Sequence, residues 1–459
     1  VVQHEHSFNS YIDIDNDMLA ILTGDVGQEK REKAWNDATI LFMTPQTLEN
    51  DLRANLYDLH DVLLIIFDEA HRAVGDYSYT TIARQYIGTG DKAHVLALSA
   101  SPGSEREKIE EIKQNLYIQH VEVRTDRDSD VLPYIQDVDF KWIKIDIPDN
   151  FKKIIDILND ELKKVKNFIK EKHFVENKDT KYITRKDFLE IMKKARMRLN
   201  HEFNMSQKQQ LFTIIKVISV GLRISHCLEL IETQGLQAIL KYIEKCKREA
   251  RKERSSKSLH IFIDLARRQS IHEKIKRLVE DGKIHPKLEY LGRMLQDFIN
   301  SNPDSRIMVF ANFRITVEAI TNHLRASGIE KVSSFVGQQS RGGMKGMTQK
   351  KQEEILQQFK DGVFQVLIAT SVAEEGLDIG ECDLVVLYDI VPSAIRTIQR
   401  RGRTGRKRAG NVVALMARNT RDEAYYHVER AREKRMEQNL KNMGKKKTVN
   451  LDTFTHGKK

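Results

Sequence analysis

Short apolar runs recur along the first 125 residues and again after residue 305, and stretches with helical spacing separate them. The early runs cover residues 19–22, 40–43, 62–67 and 95–98, and the later ones cover residues 307–311, 332–336, 365–369, 384–388 and 412–416. A strand that is buried on both faces of a parallel sheet gives a continuous apolar run, as in residues 62–67. The pattern predicts two α/β domains with parallel sheets, over residues 1–125 and 301–419.

Residues 150–300 have a different pattern, in which Pro and Gly are rare and apolar positions follow a helical period. One such stripe consists of Ile154, Ile157, Leu158, Leu162 and Val165. This spacing predicts an all-helical insert of about five helices between the two α/β domains. The remaining segments are interpreted as a connector, residues 126–149, and as a charged helix with a basic tail, residues 420–459.

Charge is distributed unevenly among these segments. The 459 residues contain 76 Lys and Arg against 66 Asp and Glu, a net charge of +10. Residues 1–150 carry 14 basic and 28 acidic side chains, residues 151–300 carry 34 and 20, and residues 399–459 carry 18 and 6. This segregation indicates separate modules and a polyanionic partner, although solvated helix faces alone also account for a basic insert.

Cysteine spacing and hydropathy argue against a disulfide-bonded protein and against a membrane-spanning protein. The three cysteines, Cys227, Cys246 and Cys382, have neither disulfide nor metal-site spacing, which favours a reducing compartment such as the cytoplasm. Charged residues interrupt the apolar runs before they reach the roughly 18 residues of a membrane span, so no membrane association is expected.

The sequence Asp68-Glu69-Ala70-His71 follows the apolar run 62–67 directly. Adjacent carboxylates at the end of a buried strand suit nucleotide hydrolysis, because one can hold Mg²⁺ through water while the other polarises the attacking water. A chance tetrapeptide in a loop is the alternative. We therefore place Asp68, Glu69 and His71 among the candidate catalytic residues, with Mg²⁺ at the two acids.

The segment 399–406 contains four arginines within seven residues, together with Gln399, Gly402 and Gly405. Arginine is always charged and grips phosphate oxygens in a bidentate manner, and the glycines relieve crowding around the side chains. Arg403 and Arg406 are therefore candidate phosphate ligands. A polybasic surface or targeting signal is the alternative interpretation.

Polar residues also follow several of the other predicted strands. Thr44 and Pro45 follow the second run, and Ser99 and Ser101 follow the fourth. Hydroxyl groups at the end of a strand can hold a phosphodiester, and the two serines can couple the acid pair to a bound strand. A capped Ser-rich turn is the alternative for Ser99 and Ser101.

A similar set follows residues 365–369 in the second α/β domain. Thr370 and Ser371 are candidate phosphodiester contacts, Gly376 permits a tight turn, and Asp378 can accept a hydrogen bond from a ribose hydroxyl or an arginine.

In chain order, these segments resemble the motifs of superfamily 2 helicases: Thr44-Pro45, residues 68–71, residues 99–101, residues 370–379 and residues 399–406. The resemblance implies two RecA-like motor domains that use ATP and Mg²⁺. It also implies that Asp68 binds the Mg²⁺ of Mg-ATP, that Glu69 activates water, and that Arg403 and Arg406 reach the γ-phosphate. Gln399 belongs to the same catalytic set, and Gly376 and Asp378 belong to the nucleotide site.

A finer resemblance lies in residues 224–245 and in His285-Pro286-Lys287-Leu288-Glu289. These segments are similar to the archaeal Hef helicases, the Fanconi anaemia M-group and the fungal Mph-type translocases. The resemblance implies that the insert grips duplex or branched DNA and that forks and junctions are remodelled in repair. Double-stranded RNA translocases or sensors of the same architecture, and a nucleic-acid-binding module without ATPase activity, remain the alternatives.

The sequence departs from the helicase pattern in one respect: it contains no G-x-x-x-x-G-K-[ST] phosphate-binding loop. The first four residues resemble the end of the motif that follows this loop in the family. We therefore expect that the first motor domain is incomplete at its start, and that the chain as given binds and hydrolyses ATP poorly.

Three further nucleic-acid or partner contacts are expected. Lys193, Lys194, Arg196 and Arg198 form a basic run suited to phosphates, and Gln3 and His4 are expected to line the strand path. Residues 448–454 faintly resemble a sliding-clamp-binding peptide with Leu451 and Phe454 as anchors; a disordered basic tail is the alternative.

Overall fold

The computed structural model describes residues 1–90, 93–100, 103, 105–124, 128–131, 138–172, 174, 180, 183–338, 346–370, 382–390 and 410–444. Two compact units emerge, the first built mainly from Val1–Ile135 and the second mainly from Gln136–Pro392.

The first unit alternates strands and helices, as the apolar runs predict. In chain order it contains α1 (Val2–Tyr11), β1 (Leu19–Leu22), α2 (Gln28–Asp37), β2 (Ile40–Met43), α3 (Pro45–Arg53), β3 (Leu64–Phe67), α4 (Ser78–Ile87), β4 (His94–Ala97) and α5 (Arg106–Asn115). Strand β1 pairs in parallel with β2, and β3 pairs in parallel with β4. The core of the unit lies under β3 and includes Leu52, Phe67, Ile82, Tyr86 and Leu116.

Strand β3 differs from the prediction that both of its faces are buried. Leu64 and Ile66 are 49% and 45% exposed, whereas Phe67 on the opposite face is buried. On the neighbouring strand, Leu96 is also exposed. The described residues therefore cover only one face of the β3–β4 pair. Apolar side chains on the other face of β3 are exposed.

A bidentate ion pair joins α2 to α3 in the same unit. Arg31 Nε donates to Asp51 Oδ2 at 2.8 Å, and the Tyr57 hydroxyl donates to the same oxygen at 2.6 Å. Burial alone would raise the pKa of Asp51, but the hydrogen bonds from Arg31 and Tyr57 outweigh it and lower that pKa. Trp35 stacks on the Tyr57 ring at 3.9 Å between centroids. These contacts hold α2 against the helix that follows Thr44.

The second unit begins with a helical bundle. Within the described part of the chain it has six α-helices: α6 (Asp149–Glu171), α7 (Arg185–His201), α8 (Met205–Glu229), α9 (Leu236–Ala250), α10 (Lys257–Arg268) and α11 (Ile271–Glu280). The predicted stripe on α6 is part of the bundle core. Helix α8 and the π-helical turn Leu230–Gln234 are long and apolar enough to cross a membrane by composition. Half of the most apolar stretch of this segment is nevertheless buried inside the protein, as in the core helix of a bundle.

A six-stranded parallel sheet forms the rest of the second unit. Its elements are β5 (Val138–Ile145), α12 (Pro286–Ser301), β6 (Ile307–Phe310), α13 (Arg314–Ala326), β7 (Val332–Phe335), α14 (Gln349–Lys360), β8 (Val366–Ala369), β9 (Leu384–Leu387) and β10 (Gly410–Ala417). Helix α15 (Arg421–Gly444) follows β10, and only its residues 421–427 belong to this unit. The strand order is β5-β10-β9-β6-β8-β7. Strands β6, β8 and β9 are buried at every position, so the prediction of continuous apolar strands is confirmed for this sheet.

Two of the predicted boundaries are wrong in the structure. The segment 126–149, interpreted as a connector, contains β5, which pairs along its whole length with β10. In its first half, exposed Asp139 and Lys141 alternate with the less exposed Phe140 and Trp142, which is the period-two signal of an edge strand. Helix α12, assigned to the insert by the boundary at residue 300, packs Leu291 and Leu295 into the core of the sheet.

Candidate functional site

The acid pair lies at the carboxyl end of β3, as the sequence predicts. Asp68 follows Phe67, the last residue of the strand, and residues Ala70–Arg72 form a short 3-10 helix. Glu69 has a φ of 50°, a left-handed conformation that is uncommon for a residue other than glycine. Strain of this kind is frequent at functional sites, where the surrounding structure holds the backbone in place.

Pairing of β4 with β3 brings Ser99 to the acid pair. Leu98 N–H donates to Phe67 O at 2.9 Å, and Ala70 N–H donates to Leu98 O at 2.8 Å, which continues the pairing past both strands. His71 Nδ1 consequently lies 3.3 Å from Ser99 Oγ and 3.2 Å from Glu69 Oε2. This contact links the acid pair to the residues that follow β4. The coupling of the acid pair to a bound strand through Ser99 stays a prediction.

His4 also reaches the acid pair, which the sequence did not indicate. Its Nε2 lies 2.9 Å from Asp68 Oδ2, and both side chains are about half exposed. The expectation that His4 lines the path of a nucleic-acid strand stays a prediction. In the structure His4 contacts the acid pair instead of standing apart from it. The side chain of Gln3 lies outside the described residues.

Tyr79 is a residue of this site that sequence reasoning missed. Its hydroxyl donates to the backbone oxygen of Asp68 at 2.7 Å, and its ring packs edge-on against Phe67. Burial, with the nearby Tyr77 and Asp68, raises the pKa of Tyr79 to about 12. The hydroxyl therefore stays protonated and holds the turn that carries the acids. Tyr79 lies on α4, and its position in the sequence gives no sign of this contact.

The donor set suits a magnesium ion that arrives with a nucleotide. Among the described residues, no three His, Cys, Asp or Glu side chains are grouped so as to hold a metal ion by themselves. Mg²⁺ is usually held by one or two carboxylates together with water and substrate phosphates. Glu69 Oε2 is buried and contacts His71 Nδ1 at 3.2 Å without a hydrogen bond of good geometry. Asp68 and Glu69 thus fit the predicted use of Mg²⁺.

The strand-end threonines lie where they were predicted. Thr44 precedes α3, with Pro45 as its first residue, and Thr44 Oγ1 shares a hydrogen bond of 2.6 Å with Thr47 Oγ1. In the second unit Thr370 follows β8, is buried, and donates its N–H to Phe335 O at 3.1 Å. Their roles as phosphodiester contacts stay predictions.

The following predicted site residues lie outside the described residues, together with the tail that carries Leu451 and Phe454: Ser101, Ser371, Gly376, Asp378, Gln399, Arg403 and Arg406.

The predicted phosphate contacts of the insert lie on the outer side of α7. Lys193, Lys194, Arg196 and Arg198 are all exposed, while Ile191 and Ala195 on the opposite side are buried. Arg196 lines a groove of about 470 Å³ between α7, α8 and the start of α10. Three other cations line the same groove, namely Lys216, Arg223 and Lys257. We refer to these four residues as the basic groove. The sequence analysis identified only Arg196. The other three cations lie on two further helices and form no run in the sequence.

A buried lysine joins α12 to the sheet, and sequence reasoning assigned it no role. Lys287 Nζ donates to Asp422 Oδ2 at 2.9 Å and lies 3.9 Å from Asp389 Oδ1, and all three side chains are buried. Asp389 Oδ2 also accepts from Asn312 N–H at 2.7 Å, at the carboxyl end of β6. We call Lys287, Asp389 and Asp422 the junction cluster.

The π-helical turn brings the bundle to this cluster. Glu232 Oε2 accepts from Arg421 N–H at 3.0 Å, and His285 Nε2 donates to Glu232 O at 3.0 Å. Gly235 ends the turn with a φ of 88°, where an added Cβ would lie 2.9 Å from His285 Cβ. Burial raises the pKa of Glu232 to about 7 and lowers the pKa of His285 to about 3. The two sequence segments that carried the finer resemblance, residues 224–245 and 285–289, therefore meet at one junction.

Three protein-family descriptions match consecutive parts of the chain. "DEAD/DEAH box helicase" matches residues 1–109, "Putative ATP-dependent RNA helicase, helical bundle" matches residues 150–281, and "Helicase conserved C-terminal domain" matches residues 286–408. The last match begins at Pro286 and so agrees with the packing of α12 on the sheet.

Individual relatives match over most of the chain. A Methanocaldococcus jannaschii protein described as a "Putative ATP-dependent RNA helicase" is 37% identical over 96% of the chain and 54% of its own length. The Neurospora crassa "ATP-dependent DNA helicase mph1" is 32% identical over 90% of the chain and 36% of its own length. The chain thus spans about half the length of the first relative and about a third of the second.

A solved structure also matches over most of the chain. The crystal structure of the Pyrococcus furiosus Hef helicase domain is 40% identical in sequence, with a TM-score of 0.69, and the match covers 93% of this chain and 86% of that one.

Proposed function

Because the chain belongs to the superfamily 2 helicases of the Hef and Mph1 type, with two RecA-like domains and a helical bundle between them, we propose that it is the motor of an ATP-driven DNA translocase. Its substrates would be branched DNA, forks and junctions, in replication-fork repair and recombination. The observation that carries this proposal is the basic groove, because four cations on one face of the bundle suit a phosphate backbone. The relative described as a DNA helicase supports DNA as the polymer.

The helicase domains imply that ATP is the nucleotide, and the acid pair supplies the groups that its hydrolysis needs. Mg²⁺, when bound, neutralises phosphate charge. Asp68 would hold the ion through water, and Glu69 would orient and polarise the attacking water. His71, which contacts both Glu69 and Ser99, would keep the Glu69 carboxylate in place. In the same proposal Gln399, Arg403 and Arg406 act on the γ-phosphate, and Gly376 and Asp378 belong to the nucleotide site.

The chain as given is expected to hydrolyse ATP slowly. The 459 residues contain no Gly-Lys-Ser/Thr phosphate loop, and one face of the β3–β4 pair beside the acids is exposed. An ATPase assay with and without DNA tests this expectation, with Glu69→Gln as the background control. DNA-stimulated turnover well above that of Glu69→Gln would contradict it.

Competitive binding tests the choice of substrate. A labelled three-way fork is displaced by unlabelled fork, linear duplex or single strand, at two salt concentrations. We expect the fork to compete best. Equal competition by linear duplex would contradict a preference for branched DNA.

A double-stranded RNA translocase or sensor is the second candidate, favoured by the description of the Methanocaldococcus relative. Duplex RNA of the same sequence as the duplex DNA separates the two candidates, because only RNA offers a 2′-hydroxyl. Tighter binding of RNA would favour this candidate. Tight DNA binding without any ATPase activity, even in a variant supplied with a phosphate loop, would favour a pure binding module.

A further inference from the structure

The hairpin formed by α7 and α8 ends in an exposed apolar tip. Phe203, in the loop between the helices, is 91% exposed, and Met205, the first residue of α8, is 73% exposed. A phenylalanine that is left in water forgoes about 2 kcal/mol of burial energy, so nothing in the fold of the bundle requires this ring.

The tip has a defined backbone. Asn204 Oδ1 accepts from Ser206 N–H at 2.9 Å and from Gln207 N–H at 3.3 Å, which caps α8. Glu202 Oε1 accepts from Asn204 N–H at 2.9 Å. Phe203 therefore lies between two residues whose side chains fix the loop, and its ring is held outward.

Positive charge surrounds the tip. Residues 191–216 contain six Lys and Arg and one acidic residue, Glu202. Phe212 is exposed and lies one helical turn before Lys216, so it is on the α8 face that leads from the tip into the basic groove. None of the four cations of the groove forms an ion pair with a described carboxylate, and Arg223 donates only to the Ser219 carbonyl of its own helix. Their charge is available to a partner.

An exposed aromatic ring at the end of a hairpin that carries free cations farther along its helices matches the two surfaces of a nucleic acid where its base stack ends. Aromatic side chains stack on exposed bases, apolar residues insert at disrupted base steps, and cations bind the adjoining phosphates. Association of two copies through this face is disfavoured, because a two-fold contact would bring two like-charged patches together.

We propose that Phe203 stacks on the base face exposed at a branch point or end of duplex DNA, with the following phosphates in the basic groove. Met205 widens the apolar contact, and Phe212 continues it toward the groove. This inference rests on the proposed function and deepens it, because it identifies the part of the chain that distinguishes a branched substrate from a continuous duplex.

Two DNA probes separate end recognition from duplex binding. One is a three-way fork with 2-aminopurine at the branch, and the other is a dumbbell duplex closed by loops at both ends, which exposes no base-pair face along its stem. Binding of the full chain to both probes is measured without ATP, so the test does not depend on turnover. Phe203→Ser removes the ring and keeps Glu202 and Asn204, and Phe203→Trp keeps an aromatic surface. Leu189→Ser removes another exposed apolar side chain, which lies on α7 roughly three helical turns before the end of that helix.

Phe203→Ser is expected to weaken fork binding about tenfold, in line with the cost of losing one base–aromatic stack, and to abolish the quenching of 2-aminopurine. Dumbbell binding and the salt dependence should stay as in the wild type. Phe203→Trp should retain both the affinity and the quenching, and Leu189→Ser should bind as the wild type does.

Three results would overturn the proposal. The first is that Phe203→Ser binds the fork as tightly as the wild type, and the second is that it loses as much affinity for the dumbbell as for the fork. The third is that sedimentation shows self-association of the wild type and its loss in Phe203→Ser. If the wild type bound neither probe, the proposed function would be overturned instead. Wild-type binding of both probes with no effect of Phe203→Ser would overturn only the stacking role.

Discussion

The junction cluster and the basic groove lie in the same unit, and they use positive charge in opposite ways. Lys287 is fully buried, with one carboxylate at 2.9 Å and a second at 3.9 Å, and it lies over the Tyr388 ring. The four cations of the basic groove lack carboxylate partners among the described residues. A buried charge is costly unless its partners are fixed in place, whereas an exposed charge is stabilised by water and can be given to a ligand. The first arrangement determines structure, and the second determines affinity.

Substitution of the buried lysine should have the largest effect. Lys287→Met removes the cation that pairs with buried Asp422 at 2.9 Å, which should lower the free energy of unfolding by about 3–5 kcal/mol. Arg293→Met on the same helix removes an exposed ion pair with Glu289 and should change it by less than about 1 kcal/mol. Urea titration followed by circular dichroism measures both. Similar small losses in the two variants would show that the junction cluster does not bind α12 to the sheet.

The next effect concerns pH. The His285 ring is buried and neutral, because Nε2 donates to Glu232 O while Nδ1 accepts from Lys287 N–H. Its pKa is lowered to about 3 from an ordinary value of 6.5. The stability that it contributes is therefore present above pH 6.5 and is lost as pH falls toward 3, by up to about 4 kcal/mol.

Glu232 acts in the opposite direction, because its raised pKa of about 7 adds stability as pH falls from 7 to 4.5. Arg421, Asp422 and Lys287 also face this junction. The difference between wild type and His285→Asn, measured by denaturant unfolding at pH 7, 5.5 and 4, isolates the histidine. We expect the wild type to lose more stability than His285→Asn as pH falls. Parallel curves would be inconsistent with a buried neutral His285.

Gly235 tests how closely the π-helical turn must approach the junction. Gly235→Ala combines a φ of 88° with a Cβ placed 2.9 Å from His285 Cβ, and we expect a loss of about 2–3 kcal/mol. Gly282→Ala, at a φ of 70° in open space, should cost about 1 kcal/mol through backbone strain alone. Thermal unfolding compares the two. An equal cost would mean that the close approach to His285 contributes nothing.

The smallest effect on folding, and the clearest on binding, is expected in the basic groove. Replacing Arg196, Lys216, Arg223 and Lys257 with Gln should leave the midpoint of unfolding nearly unchanged. The slope of log affinity against log salt should become shallower by about 0.9 for each phosphate contact that is lost.

The control for the basic groove removes the same charge from α9, through Gln at Lys241, Lys245, Lys247 and Arg248. A second variant places Gln at Lys193, Lys194 and Arg198, the cations of the exposed α7 run that do not line the groove. Equal salt slopes for the groove and α9 variants would show that the basic groove contributes only nonspecific positive charge. A larger change in the α7 variant would place the main phosphate contacts on the outer side of that helix.

Much of the fold could be predicted because local patterns report burial. The predicted strand 19–22 coincides with β1, and residues 384–388 differ from β9 by one residue. The acid pair could be located because its strand and its chemistry are adjacent in sequence. Strand β5 was missed because its polar positions alternate with apolar ones and the continuous run that marked the other strands is absent.

The contacts of the candidate site were less accessible to prediction. Tyr79 reaches the backbone of Asp68 from helix α4, and Ser99 reaches His71 only because β4 pairs with β3. His4 was assigned to a strand path by resemblance, and its contact with Asp68 appears only in the folded unit.

By itself the sequence determined the order of strands and helices, the uneven charge, the position of the acid pair and the family. These features depend on residues that are close along the chain, where periodicity and spacing carry the information. The tertiary structure decided that Lys287 pairs with Asp422, 135 residues away, that β5 joins the second sheet, and that cations from three helices share one groove. Such pairings depend on which elements pack together, and packing is set by the burial of whole faces, which no local pattern specifies.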